Sequence, residues 1–441
     1  MRIVQASILA LVGLSNALQG SNLDITPEFA NSHGCNQECQ AALHEANKAD
    51  LADFGQDFNF AFYATSRKFA GSKPGDLLEL DPIDPATLQI EAGGKAYRVQ
   101  AYRIQYTSQD LDDSPVPATG FIAVPFARTR PRNYSLVAWA HGTSGMYRGC
   151  APSNGPRLYD YDTWQLVVKK GYAVVAPDYP GLGNNYTTNK LCSFSALAKD
   201  VYYSVQAAKK AFKFLSGQWV AAGHSEGGGA VWKLSESHLV KNDKTYLGAV
   251  ALAPPTKLID TLQYFPDNLI NSGYVTVLAR ALKNVYPSYN LTMLADPLRE
   301  RLPILEAAQP CVDAHRALKA GLLPGQIFSP EGLQADLPLL MKWQNETAPA
   351  SGTRSTGPLL VVQGLNDRIV APAITRNSWL RTCVEGKSEV HLSEYIQLDH
   401  STVLRGAAAE WLGWIADRFE GLVYLRKNQR VCIDPMPLTM R

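Results

Sequence analysis

A serine set between glycines is the first place in this chain where residue types and spacing could do chemistry. Gly223-His224-Ser225-Glu226-Gly227 follows a short apolar run at 218–222 and precedes a helical pattern at 228–240. Between a strand and a helix, Gly-x-Ser-x-Gly makes a nucleophile elbow. The serine sits on a tight turn, the glycines let backbones pass closely, and the helix N-terminus favours developing negative charge. Such a serine needs a base, and the base needs an orienting carboxylate. In the chain order serine, acid, histidine, the histidines after Ser225 are His238, His315, His391 and His400. His238 falls late in the following helix, His315 in a helical region and His391 inside a strand pattern. His400 alone falls in a loop between a strand and a helix, so it is the expected base. Asp367, in Gln363-Gly364-Leu365-Asn366-Asp367 directly after an apolar strand, is the expected acid. Asp399 is its rival, disfavoured because neighbours in sequence seldom present their side chains to each other. An oxyanion needs two backbone N–H donors. The N–H of Glu226 should be one. The other should come from His141-Gly142-Thr143, with Thr143 first and Gly142 behind it. His141 itself reads as a structural histidine bonding its own loop.

The elements that must position these groups can be read from periodicity. Strand patterns fall at 97–107, 120–125, 134–140, 172–176, 218–222 and 247–253, with helical patterns at 162–170, 195–215 and 228–240. Strands interleaved with helices imply a mostly parallel sheet covered on both faces. From 255 to 350 this rhythm is lost, and short helical pieces such as 274–283 and 312–320 replace it. It resumes with a strand at 358–363, a helix at 373–384, a strand at 388–398 and a helix at 406–419. The chain therefore divides into residues 1–17, a first core part 18–254 with an N-terminal extension 18–90, an inserted helical cap 255–350, and a second core part 351–441. After an early helix, 18–90 carries no sharp functional signal.

Length and composition agree with an enlarged domain. At 441 residues the chain exceeds the roughly 250–300 at which single cores stop growing. Its 46% apolar and 19% charged residues exclude a disordered chain. Forty-two basic against 40 acidic residues, with no basic stretch, argue against nucleic-acid binding. Residues 1–17 read as a secretory signal: Arg2, an apolar stretch at 3–14, then Ser15-Asn16-Ala17. Beyond residue 20 no apolar run is long enough to span a membrane. Sequons at Asn133, Asn185, Asn290 and Asn345 are the expected glycosylation sites. The seven cysteines, at 35, 39, 150, 192, 311, 383 and 432, lack the paired spacing of a zinc site, so disulfides are expected, and the odd count leaves at least one thiol free or intermolecular. No metal or cofactor is expected.

Several segments together resemble the secretory lipase family of α/β-hydrolases, the group containing fungal lipase A-type enzymes. They are His141-Gly142-Thr143, Cys150-Ala151-Pro152-Ser153, the segment from Ala176 to Gly183 that reads Ala-Pro-Asp-Tyr-Pro-Gly-Leu-Gly, and Gly223 to Gly228. The resemblance spans residues 95–432. It implies an α/β-hydrolase fold with a helical cap at 255–350, and it puts the family's triad on Ser225, Asp367 and His400. It also implies disulfides Cys150–Cys311 and Cys383–Cys432; Cys35–Cys39 is a local pairing that leaves Cys192. The chain departs from the family at Glu226, where glutamine is usual. A carboxylate there would oppose an oxyanion unless hydrogen-bonded or paired behind the elbow. The expectation is a secreted, monomeric serine hydrolase of carboxylic esters, a lipase or esterase whose substrate could lie at a lipid interface. An aminopeptidase-type serine peptidase is the alternative, and a non-catalytic binding protein on the same fold is a third reading that the intact serine–acid–histidine order disfavours.

Overall fold

The computed structural model describes residues 19–422, except 89–90, 93–94, 97–98, 127–132, 352–353 and 385–388. It gives backbone alone at 91–92, 95–96, 384 and 432–433. The expected signal at 1–17 and the side chain of Cys432 lie outside the described residues.

Among the described residues twelve strands carry the framework: β1 Leu77–Ile83, β2 Glu91–Ala92, β3 Lys95–Ala96, β4 Val99–Gln109, β5 Pro115–Pro125, β6 Tyr134–Ala140, β7 Ala173–Pro177, β8 Leu215–His224, β9 Tyr246–Leu252, β10 Leu359–Gly364, β11 Val390–Tyr395 and β12 Cys432–Ile433. Ten of them form one sheet in the order β1-β4-β5-β7-β6-β8-β9-β10-β11-β12, and β2 pairs with β3 apart from it. β1, β4 and β5 run antiparallel to their neighbours, and every pairing from β7 to β12 is parallel. The central strands are continuous apolar runs because both faces are covered. β6 shows how. Leu136, Ala138 and Ala140 face one core with the helices Phe194–Ala211 and Glu226–Ser235, while Val137 and Trp139 face a second core with Trp164, Trp411 and Ile415.

Between β9 and β10 the chain is helical, from Leu258–Tyr264 to Pro330–Thr347. This cap shares the first core: Trp343 is buried and donates its indole N–H to Ser193 Oγ at 3.0 Å. Boundaries differ from the periodicity where capping intervenes. The pattern at 228–240 is two helices, because Ser237 caps a new one at His238–Lys241. The uninformative N-terminal extension contains the edge strand β1 and a helix, Gln37–Phe54. Asp50 of that helix caps the cap helix Val312–Ala317, accepting from Asp313 and Ala314 N–H at 3.0 Å each. Cys150–Cys311 ties the loop after β6 to the cap, Cys35–Cys39 closes a local turn, and Cys192 is free and buried. Cys383 is disulfide-bonded. Among the described residues no helix is long and apolar enough to cross a membrane, and no cluster could hold a metal ion.

Candidate active site

Ser225 begins the helix Glu226–Ser235 directly after β8, with φ +54° and ψ −126°. A residue bearing a Cβ rarely adopts that conformation, so the surroundings must hold it. The Ser225 N–H donates to Leu252 O at 2.9 Å, and its carbonyl accepts from Gly229 N–H at 3.1 Å. Glycine is required on both sides. A Cβ on Gly223 would lie 2.4 Å from Gly227 O, and one on Gly227 would lie 2.0 Å from Ala140 O.

His400 stands in the loop between β11 and the helix Thr402–Gly406, with Nε2 2.9 Å from Ser225 Oγ and Nδ1 2.8 Å from Asp367 Oδ2. Asp367 accepts, so Nδ1 carries the ring proton and Nε2 offers a lone pair to the serine. The other oxygen of Asp367 accepts from the N–H groups of Ile369 and Val370 at 2.8 Å each. Burial alone would push this carboxyl up, but the imidazole and these hydrogen bonds outweigh it and hold the group below its ordinary value. Asp399, the rival acid, is spent on its own loop: Oδ1 accepts from Ser401 N–H at 3.0 Å and Thr402 N–H at 2.8 Å. His238 is exposed, His315 is buried in the cap and His391 lies on β11 beside Glu389.

The expected oxyanion donors separate. Gly142 is a correction: its N–H donates to the Tyr161 hydroxyl at 2.9 Å and is no longer available. Thr143 and Glu226 border the cavity beside Ser225, and no acceptor among the described residues takes either backbone N–H. His141 serves its loop. Its ring nitrogens face Gly142 O at 2.6 Å and Asp178 O at 3.2 Å, and burial holds it down at about 4 against both carbonyls. Glu226 turns away from the site: its buried carboxyl accepts from Cys192 N–H at 2.7 Å. Burial pushes that carboxyl up to about 7, while the Cys192 N–H and the Thr143 hydroxyl pull the other way.

Sequence reasoning missed Gln363, the penultimate residue of β10. Its side chain donates to Asp367 Oδ2 at 3.0 Å and accepts from Thr375 Oγ1 at 3.1 Å. A polar residue inside a wholly buried strand was the signal that could have found it. The shared segments also acquire a purpose. Asp178 accepts from Ser153 N–H at 2.8 Å, Ser153 Oγ at 2.5 Å and Thr119 Oγ1 at 2.7 Å, locking two of them together.

Ser225 opens onto a cavity of about 40 Å³. Leu258, Leu269, Tyr274, Val277 and Leu278 of the cap roof it, and Ile369 and Val370 close one side. A roomier hollow of about 210 Å³, between the N-terminal helices and Ile304 and Leu305 of the cap, contains none of these reactive groups.

This sheet order, elbow and hydrogen-bonded serine–histidine–aspartate line define the α/β-hydrolase class. A hydrolase family model described as serine aminopeptidase, S33, matches residues 157–404, more than half of the chain, and the chain belongs to that family. The resemblance to fungal lipase A-type enzymes also holds along most of its length. Lipase 10 of Candida albicans is 22% identical over 404 residues, covering 84% of this chain and 83% of its own. Candida antarctica lipase A has the same fold, with a TM-score of 0.67 and 15% identity over 86% of this chain and 88% of that one. The rice cell wall degrading esterase LipA of Xanthomonas oryzae matches with a TM-score of 0.57 and 18% identity, over 80% and 99% of the two chains.

Proposed function

We propose that this protein hydrolyses carboxylic esters through an acyl-enzyme on Ser225. The observation that carries the reading is a serine, hydrogen-bonded in line to His400 and Asp367, facing an apolar cavity under a helical cap. Ser225 Oγ attacks the ester carbonyl as His400 Nε2 takes its proton, and Asp367 steadies the imidazolium. The N–H groups of Thr143 and Glu226 receive the oxyanion. The imidazolium then gives its proton to the departing alcohol, and a water activated by the same nitrogen releases the acid.

The names of the relatives, two lipases and an esterase, support ester chemistry. The apolar lining favours an uncharged acyl group. At about 40 Å³ the cavity suits a short acyl chain. A peptidase releasing N-terminal residues must hold a substrate ammonium. Glu226 is the one acid among the described residues bordering the cavity, and its carboxyl already accepts from Cys192 N–H. Disulfides and four exposed sequon asparagines, Asn133, Asn185, Asn290 and Asn345, suit an extracellular glycoprotein.

The test is a p-nitrophenyl ester series from acetate to palmitate beside an aminoacyl-nitroanilide, on the parent and Ser225→Ala. Ester turnover lost in S225A, by about 10³-fold or more, is expected. Retained turnover in S225A would overturn the assignment, and preferred cleavage of the anilide would make the protein a peptidase.

A further inference from the structure

One residue of the elbow is used by none of the steps above. His224 precedes Ser225, is buried, and both its ring nitrogens are engaged. Nε2 lies 2.7 Å from the carbonyl oxygen of His400, and Nδ1 lies 3.2 Å from the Tyr161 hydroxyl. That same hydroxyl accepts from Gly142 N–H at 2.9 Å. The direction of every bond follows from chemistry. A carbonyl can only accept, so His224 Nε2 carries the proton. The neutral ring then presents a lone pair at Nδ1, which the Tyr161 O–H must fill, leaving the tyrosine oxygen to accept from Gly142. Burial above all holds His224 down at about 3, which keeps the ring in this neutral form.

The chain therefore joins two loops far apart in sequence: the one whose Thr143 N–H faces the oxyanion and the one that carries the base. The first loop is gripped on both sides. Gly142 N–H is held by Tyr161, and Thr143 O accepts from the Tyr159 hydroxyl at 2.8 Å. Between them, Gly142 O lies 2.6 Å from His141 Nδ1. Since a trans peptide points its C=O and N–H in opposite directions, holding Gly142 O aims the Thr143 N–H. A Cβ on Gly142 would meet the Tyr161 hydroxyl at 2.7 Å, so a larger residue there would displace the linking oxygen.

We propose that Tyr161 and His224 are positioning residues that set the oxyanion loop and the His400 loop in one register through the chain Gly142 N–H, Tyr161 O–H, His224 imidazole, His400 C=O. The proposal rests on the reading of Ser225 and His400 as nucleophile and base. An oxyanion donor displaced relative to the base loses stabilisation of the transition state and leaves ground-state binding unchanged.

The experiment measures kcat and KM on p-nitrophenyl acetate for the parent, Y161F, H224Q, the double variant and S225A, with thermal midpoints as a check on folding. Y161F keeps the ring and deletes the linking oxygen. It is expected to lower kcat about tenfold, a fraction of the effect of deleting a donor, with KM within about twofold. The double variant is expected to fall no further than the weaker single, because either change breaks one chain. Y161F with kcat within twofold of the parent would overturn the proposal, as would losses that multiply in the double variant. A Y161F chain that no longer folds would overturn it too, since the hydroxyl would then be serving the fold. If H224Q alone fails to fold, the Y161F split between kcat and KM decides. Turnover retained in S225A would remove the underlying reading. An inactive S225A beside an undiminished Y161F would remove the relay alone.

Discussion

At the residue scale the charge on Glu226 has the largest leverage. Its backbone N–H is a proposed oxyanion donor, while its own carboxyl lies behind the elbow on Cys192 N–H. Below about pH 7 that carboxyl is neutral because burial raises it; above, it becomes an anion close to where the oxyanion forms. Its titratable neighbours, the Cys192 thiol and the phenols of Tyr161, Tyr179 and Tyr274, are all kept protonated by burial. The kcat for ester hydrolysis should therefore decline as pH rises through about 7. Glu226→Gln keeps the acceptor for Cys192 and should remove that decline, which a pH–rate profile of both proteins measures. An identical alkaline limb in E226Q would show that the carboxyl has no part in it. The sequence made the residue conspicuous by its departure from glutamine. Which way the carboxyl turned depended on the Cys192 loop, whose approach no local pattern encodes.

At the element scale the cap is held by its neighbours from outside as much as by its own helices. Cys150–Cys311 crosses from the loop after β6, Asp50 caps Val312–Ala317 from the N-terminal extension, and Asn22 Oδ1 accepts from Cys311 N–H at 2.7 Å. The disulfide spans a sequence separation of 161, so its loss frees a long loop in the unfolded chain. Replacing both cysteines by serine should lower stability by about 2–5 kcal/mol, read as an earlier denaturant midpoint. An unchanged midpoint would mean that packing alone holds the cap down. The strands and helices around the elbow were legible because doubly covered strands are unbroken apolar runs and the helices between them are amphipathic. β1 was not, since its apolar face is meagre and its partner lies across the sheet edge, and the early helix, Gln37–Phe54, gave no sign that it packs on the cap.

For the whole molecule, the buried ionisable groups predict how stability follows pH. Burial pushes Asp50, Asp200, Glu226 and Glu236 up to about 7 and Asp178 up to about 6. Burial likewise holds His141 down at about 4 and His224 and His315 at about 3. In the unfolded chain carboxyls ionise near pH 4 and imidazoles near 6.5. Between about pH 5 and 8 the folded chain keeps carboxyl protons that the unfolded chain has lost. The unfolded chain keeps imidazole protons that the folded chain refuses, and five carboxyls outweigh three imidazoles. The folded state is the proton-richer one, so stability falls as pH rises across that window. Thermal unfolding should show a higher midpoint at pH 5 than at pH 8; the reverse order would mean that the imidazoles dominate.

By itself the sequence determined what local backbone and periodicity decide. These are the alternating strands and helices, the helical insertion at 255–350, and a serine that only a turn between glycines can present. It also ranked His400 above the other histidines by loop position, and Asp367 above Asp399 because neighbours in sequence seldom face each other. Only the tertiary structure decided which N–H groups stay open to an oxyanion, because Gly142 is claimed by a tyrosine nineteen positions along. It alone revealed Gln363 behind Asp367, and His224 reaching the carbonyl of His400 from 176 positions away. Hydrogen-bond partners and burial are set by which distant segments meet, and no local spacing carries that information.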